Sequence, residues 1–269
     1  MIPFKVERFM FHRGRRLYGF VVEGFSRPGV LATVTGIVAE RGLDITYYST
    51  GIVKKGERGA GIFFVDFTGS TVEPEELVEE FRRLDFVTDV RMIRPTVEGF
   101  IADDVAFPVM LGPHRAIILP EPALKGFLID FRERLGSGGE AMLYHLGREV
   151  GAESARHINE AAESIGVTSL DDKFNIGTKV FMSLGYGILE ILEFSEEPPY
   201  LKARVYNSIE CELGRGSRRP FSHYVRGLID GFSSYILNRD MFAEETRCIA
   251  MGDPYCQFEV RERPPPQPS

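Results

Sequence analysis

The alternation of apolar and polar positions predicts two different element patterns in the two halves of the chain. In the first half, β-rich runs alternate with segments in which apolar residues recur at helical spacing. The predicted elements are strands at 17–23, from 44, at 60–67 and at 87–93, and helices at 30–43 and 74–84. This βαββαβ order, with two right-handed crossovers, predicts a ferredoxin-like sandwich with both helices on one face of an antiparallel sheet.

The second half predicts a mixed α/β domain of helices packed on an antiparallel sheet, which makes the whole chain α+β. A short hairpin turned at Gly112-Pro113 is expected within 105–119. The longer elements are helices at 121–135, 139–164, 171–184 and 220–237, and strands at 186–194, 200–210, 241–250 and 255–261.

The change of pattern sets the expected domain limits. A chain of 269 residues is long enough for two domains. We expect a first domain over 1–94, a linker at 95–104, a second domain over 105–262, and a disordered proline-rich tail at 263–269.

Composition restricts the environment and the partners. The net charge of −7 argues against a general nucleic-acid-binding surface, which needs a basic patch. The first residues lack the apolar run of a secretion signal, and no apolar stretch approaches the ~18 residues of a membrane helix. We therefore expect a cytoplasmic protein that binds neither membrane nor nucleic acid directly.

The turn before the first predicted helix has the chemistry of a small-ligand site. Gly29 lets a ligand approach the backbone, and the helix that begins near Val30 directs free amides and a positive dipole end towards it. The segments Arg27-Pro28-Gly29-Val30-Leu31 and Gly42-Leu43-Asp44-Ile45 resemble the pattern of ACT domains. The resemblance implies a ligand-binding domain that pairs side by side into a homodimer. The candidate ligand-binding residues are Arg27, Gly29, Val30, Leu31 and Asp44.

The three cysteines, Cys211, Cys248 and Cys256, all lie in the last quarter of the chain. Cys248 and Cys256 are equidistant from a predicted hairpin turn, Cys211 is expected to end a preceding strand, and Glu245 supplies a carboxylate. Three thiolates and one carboxylate would complete a tetrahedral zinc site with no place for water, which makes it structural. Two alternatives remain open at this point: three buried cysteines acting as small apolar side chains, and Glu244 in place of Glu245.

The C-terminal sequence Gly-Asp-Pro-Tyr-Cys-Gln-Phe, residues 252–258, resembles the ending of 4-vinyl reductase domains. The resemblance covers about 105–262 and includes sensory domains in which cysteines and a glutamate at this spacing hold zinc. It implies an apolar, hydrocarbon-binding ligand pocket between the helices and the sheet. The candidate lining residues are Phe181, Tyr186 and His223, and the last two are candidates for orienting the ligand.

These features favour a regulatory small-molecule sensor. The ACT-like half would bind a small metabolite, and the zinc-stapled half would bind a hydrophobic ligand. The sensor would transmit its signal through a protein partner or through a change in its oligomeric state, because the sequence holds neither a DNA-binding motif nor a nucleotide-hydrolysing loop. The alternatives are a reductase acting on a vinyl group and a non-catalytic adaptor. The sequence does not decide whether the chain is an enzyme, but it favours a protein without catalytic activity.

Overall fold

A computed structural model describes residues 2–51 and 54–264, which fall into two compact units, Met1–Ile117 and Ile118–Ser269. Of the predicted disordered tail 263–269, residues 265–269 lie outside the described part. Arg263 is ordered, because its backbone amide donates to the carbonyl of Asp240 at 2.7 Å. Within the described residues, no helix combines the length and the apolar character needed to cross a bilayer.

The first unit has the predicted ferredoxin-like architecture. Its sheet has the strand order β3-β4-β2-β5, and all neighbours are antiparallel. The elements are β1 Phe9–Phe11, β2 Leu17–Phe25, α1 Val30–Glu40, β3 Asp44–Thr50, β4 Arg58–Asp66, α2 Pro74–Arg82, β5 Val87–Ile93, β6 Phe100–Ala102, β7 Met110–Leu111 and β8 His114–Arg115.

Both faces of this sheet are buried. Phe20 and Phe63 pack beneath α1 and α2 on one face. Val21 and Phe64 lie on the other face, where Met10 and its neighbours in the β1–β6 ribbon cover them. Two buried faces explain why β2 reads as a nearly continuous apolar run and does not alternate.

The segment 95–104 differs from the predicted linker because part of it is structured. Its strand β6 pairs with β1, and Ile101 is buried against the sheet of the first unit. The hairpin β7–β8 also belongs to this unit, so the chain passes to the second unit only after Ile117.

The second unit is the predicted set of helices and an antiparallel sheet, in the strand order β11-β12-β10-β9. Its helical elements are α3 Glu121–Lys125, a π turn Gly126–Asp130, α4 Phe131–Leu135, α5 Ser137–Ser164, α6 Leu170–Ser183, α7 Ile209–Leu213, α8 His223–Leu237 and a 3₁₀ turn Ile249–Met251. Its strands are β9 Ile188–Ser195, β10 Tyr200–Tyr206, β11 Met241–Arg247 and β12 Cys256–Glu262.

Glycines allow α5 and α8 to pack backbone to backbone. A Cβ atom at Gly231 would lie 1.9 Å from the carbonyl oxygen of Arg148, and one at Gly151 would lie 2.2 Å from that of Leu228. Gly147 and Gly227 make equally close approaches. Any larger residue would push the helices apart, so these four glycines fix the position of α8 in the unit.

Two element boundaries near the predicted metal site need correction. β10 ends at Tyr206, because Asn207 takes a positive φ of 51° and leaves the strand conformation. Cys211 therefore lies on the short helix α7 and does not end a strand. The helix predicted from Pro220 begins at His223, with Ser222 as its N-cap residue.

Candidate metal centre and ligand cavities

The four residues predicted to bind metal converge in the second unit. The ligand atoms of Cys211, Glu245, Cys248 and Cys256 lie within 4.8 Å of one another, and all four side chains are buried. The Sγ atoms of Cys211 and Cys248 are 3.6 Å apart. Residues from α7, β11, the turn after β11 and the start of β12 thus form one cluster.

The turn between β11 and β12 brings two of the sulfurs together. The Asp253 carboxylate accepts a hydrogen bond from the amide of Cys248 at 2.8 Å, and Gly252 takes a positive φ of 103°. The amide of Ile249 donates to Sγ of Cys256 at 3.4 Å. The Gly-Asp pair of the sequence motif therefore shapes the turn that places Cys248 beside Cys256.

Strand alternation decides which glutamate joins the sulfurs. On β11, Glu245 points into the unit and is 9% exposed, whereas Glu244 points to solvent. Glu245 Oε2 accepts the backbone amides of Phe221 and Ser222, both at 3.0 Å, and Oε1 accepts the Ser222 hydroxyl at 2.8 Å. The structure places Glu245, and not Glu244, in the cluster.

Ser222 connects this cluster to the start of α8. Its Oγ lies 2.9 Å from Sγ of Cys211 and 3.6 Å from Sγ of Cys256, in addition to its bond with Glu245. Ser222 is not among the residues predicted for the metal site. The available signal was a serine directly before a helix, the preferred N-cap residue, but the helix start was predicted too early in the sequence to use it.

A buried ion pair holds the same end of α8. The Glu210 carboxylate accepts the backbone amides of His223, Tyr224 and Val225 at 2.9 to 3.1 Å, and Arg132 donates to it at 2.5 Å. A carboxylate at a helix N-terminus satisfies free amides and stabilises the helix dipole. The adjacent residues Glu210 and Cys211 therefore both anchor α8, one by capping and one through the cluster.

Burying three thiols and one carboxyl group close together shifts their pKa values. Burial raises the pKa of Glu245 to about 8, and the charge of Cys248 adds to this. Hydrogen bonds with Cys211 and Cys256 lower the pKa of Cys248 to about 2, and the bonds of Cys211 with the other two cysteines raise the pKa of Cys211. One thiolate is thus stabilised by its neighbours, while a second negative charge is unfavourable without a cation.

The donor set is suited to a divalent metal ion. Tetrahedral ligands with metal–sulfur bonds of about 2.3 Å place two sulfurs about 3.8 Å apart, close to the 3.6 Å between Cys211 and Cys248. Three thiolates and one carboxylate fill four positions, and metal binding releases the protons that the cluster otherwise retains.

An apolar cavity of about 60 Å³ lies in the same unit, bordered by α5, α6, α8, β9 and β10. The predicted residues Phe181 and Tyr186 line it, with ring centroids 5.2 Å apart. His223 does not line it. Its Nδ1 lies 3.1 Å from the carbonyl oxygen of Phe221, and its Nε2 lies 3.6 Å from the Glu140 carboxylate. Burial lowers the pKa of His223, which favours the neutral ring.

A second cavity, of about 260 Å³, lies in the first unit at the predicted ligand turn. Arg27, Val30 and Leu31 line it, whereas Gly29 and Asp44 do not. Gly29 has a positive φ of 91° at the N-cap of α1, and Asp44 is exposed at the start of β3. Arg27 also pairs with the Asp85 carboxylate, where one nitrogen–oxygen distance is 2.9 Å.

Two family models match segments of the chain, one in each unit. The model of the ACT domain matches residues 20–86, and the model of the 4-vinyl reductase domain matches residues 201–262. The chain therefore contains an ACT domain and a 4-vinyl reductase domain. The first match lies in the first unit, and the second match includes all four residues of the cluster.

Proteins of known sequence or structure are similar to parts of this chain. The uncharacterized protein MJ1642 of Methanocaldococcus jannaschii is 25% identical over 133 residues, which are 49% of this chain and 71% of the relative. Among solved structures, the phenol-responsive sensory domain of the transcription activator PoxR is 18% identical with a TM-score of 0.52, covering 57% of this chain and 79% of that domain. A vinyl-4-reductase family protein of M. jannaschii is 20% identical with a TM-score of 0.40, and the match covers 55% of this chain and 85% of that protein. The PoxR likeness establishes a shared fold.

Proposed function

We propose that this chain is a regulatory sensor whose 4-vinyl reductase domain encloses a small apolar ligand and whose ACT domain binds a small metabolite. The apolar cavity beside α8 carries the proposal. Cavities with largely apolar walls and few polar groups are typical of small-molecule sites. The shared fold with a phenol-responsive sensory domain supports the same interpretation.

The size of the cavity beside α8 restricts its ligand. A volume of about 60 Å³ corresponds to about four to six water-sized units. A cavity of about 150 Å³ accepts benzene, so a single ring is the largest ligand that this cavity suits, and its entry requires the wall to move outwards. The cavity is far too small for a vinyl tetrapyrrole, so it favours a sensor over a reductase of that substrate.

We assign zinc to the cluster of Cys211, Glu245, Cys248 and Cys256, with a structural role. Thiolates prefer zinc among common cellular divalent ions, and four protein ligands leave no site for a reacting water. The ion would join α7, β11 and β12 and would contribute directly to folding.

Helix α8 connects the metal centre with the ligand cavity. Its N-cap residue Ser222 contacts the cluster, and Leu228 and Phe232 further along the helix line the cavity. A ligand changes the output only if it binds one conformation better than another. We therefore propose that ligand binding shifts the packing of α8, and that a homodimer or a protein partner in the cytoplasm responds to this shift.

The cavity of the ACT domain suits a small anion such as an amino acid. Arg27 supplies a positive charge at its edge, and α1 begins at this turn with its positive dipole end. An anionic ligand that binds Arg27 would displace Asp85 from it. Ligand binding would then change the position of the turn before α1.

Phenol is expected to stabilise the full, zinc-loaded chain against thermal unfolding. At a hundred times its Kd, a ligand that binds only the folded state adds about 2.7 kcal/mol, which raises the Tm of a domain of this size by about 5 to 10 °C. Ala203 on β10 is buried in the cavity wall, and a leucine side chain at this position would occupy part of the cavity. The variant Ala203→Leu should lose the shift, as measured by differential scanning calorimetry.

A substitution in the other domain provides the control. Leu31→Ala alters only the cavity of the ACT domain and should keep the full phenol shift. If phenol leaves the Tm of the wild-type chain unchanged, or if Ala203→Leu shifts as much as wild type, the cavity beside α8 is not the ligand site.

A further inference from the structure

Ser233 is an unusual residue in the wall of the cavity beside α8. It lies on α8, its side chain is fully buried, and it lines the cavity. Among the described residues, its Oγ has no hydrogen-bond partner. A buried hydroxyl without a partner destabilises a folded protein, because the water it bonded in the unfolded chain is not replaced.

The Ser233 hydroxyl also lacks the hydrogen bond to the helix backbone that serines in helices often make. A serine within a helix can donate to the carbonyl oxygen one turn earlier, as Thr35 does to Leu31 at 2.9 Å in this chain. The Ser233 hydroxyl makes no such bond. Its donor and its acceptor positions are therefore both unused, and a ligand reaches them only by moving the surrounding wall slightly, because Oγ itself is fully buried.

The threonine hydroxyl of the cavity wall already has a partner. Thr178 Oγ1 donates to the carbonyl oxygen of Asn175 at 2.8 Å. The Tyr186 ring packs beside that of Tyr224, with centroids 6.2 Å apart, and burial together with the nearby Tyr186 raises the pKa of Tyr224. Ser233 differs from Thr178, since its bonding capacity is unused in a wall that is otherwise chiefly apolar.

We propose that Ser233 is the polar anchor of the ligand in this cavity. The ligand class that follows is a single ring, or a molecule of similar size, with one hydroxyl or carbonyl group directed at Ser233 Oγ. This inference rests on the proposed function, because it assumes that the cavity holds a ligand. Ser233 replaces His223, which lies outside the cavity, as the group that orients the ligand. The test below distinguishes it from Tyr186, the other predicted orienting residue in the wall.

The pair phenol and toluene isolates this contact. The two molecules have nearly the same shape, but only phenol can bond with Ser233. In a wholly apolar cavity toluene should bind more tightly, because phenol loses hydrogen bonds to water on entry. With Ser233 as a partner, phenol should bind about tenfold more tightly than toluene to the wild-type chain.

The test measures both Kd values by isothermal titration calorimetry on the full, zinc-loaded chain. Ser233→Ala should weaken phenol binding about tenfold and leave toluene binding unchanged or slightly stronger. The Tm of the ligand-free variant should equal or exceed that of wild type, since an unsatisfied hydroxyl is removed. Thr178→Val, which removes a hydroxyl already bonded to the backbone of the same wall, should keep the preference of wild type for phenol.

The outcomes separate this inference from the proposed function. If both molecules bind and Ser233→Ala changes neither Kd, the cavity is a ligand site but Ser233 is not its anchor. Toluene binding more tightly than phenol to wild type would also overturn the anchor. If neither molecule binds the wild-type chain, the inference and the proposed sensor role both fail.

Discussion

Replacing Cys256 with serine is expected to abolish metal binding by the cluster and to destabilise the 4-vinyl reductase domain by on the order of 5 kcal/mol. The loss would be comparable to the whole stability of many domains. It would leave Cys211, Cys248 and Glu245 buried together without a cation to compensate their charge. Elemental analysis for zinc, combined with urea denaturation of the same samples, measures both effects.

Adjacent glutamates on β11 provide a matched pair of controls. Glu245→Gln removes the buried carboxylate and should lower both zinc content and stability, whereas Glu244→Gln changes an exposed side chain and should alter neither. Chelation of the wild-type chain should reproduce the loss, and added zinc should restore stability. A Cys256→Ser protein with normal zinc content and an unchanged denaturation midpoint would contradict a structural metal centre.

The second large effect is expected from Gly231→Ala, which adds one methyl group between α5 and α8. The new Cβ would lie 1.9 Å from the carbonyl oxygen of Arg148, so the backbones would have to separate. We expect a loss of at least about 3 kcal/mol, at the upper end of overpacking effects. Because α8 also borders the ligand cavity, phenol affinity should fall together with the urea midpoint.

Gly138→Ala is the control for helix propensity. Gly138 lies in the first turn of α5, where a Cβ would meet no atom within 4 Å. Alanine there should stabilise the domain by about 0.5 to 1 kcal/mol. If Gly231→Ala is as stable as wild type, the close packing of the two helices does not fix the position of α8.

Periodicity was sufficient for the order of the main elements of the first unit, but not for the short elements β1 and β6. The βαββαβ half was predictable because each element carries its own pattern, such as Leu77 and Phe81 one turn apart on α2 and the Pro-Gly turn before α1. The region 95–104 was less predictable. Whether Ile101 covers a sheet or lies in a linker depends on a strand pairing with Met10, far earlier in the chain, which local pattern does not contain.

The residues of the metal cluster could be predicted from the sequence, but the neighbouring residues that hold them in place could not. Cysteine spacing and the Gly-Asp turn identified Cys248 and Cys256, whereas the alternation of β11 was needed to place Glu245. The contact of Ser222 with the cluster and the burial of the unpartnered Ser233 hydroxyl depend on tertiary packing of α8 that no spacing rule reveals. The paired glycines of α5 and α8, four residues apart on each helix, were a readable signal that was not used.

A crystal structure of the zinc-loaded full chain grown with phenol, with diffraction recorded at the zinc absorption edge, tests the central claim most directly. The account predicts one anomalous peak among the three sulfurs and the Glu245 carboxylate, and a ring beside α8 with its oxygen within hydrogen-bond distance of Ser233 Oγ. Zinc bound away from the sulfurs, or a cavity that holds no ring although phenol is present, would contradict a metal-stapled small-molecule sensor.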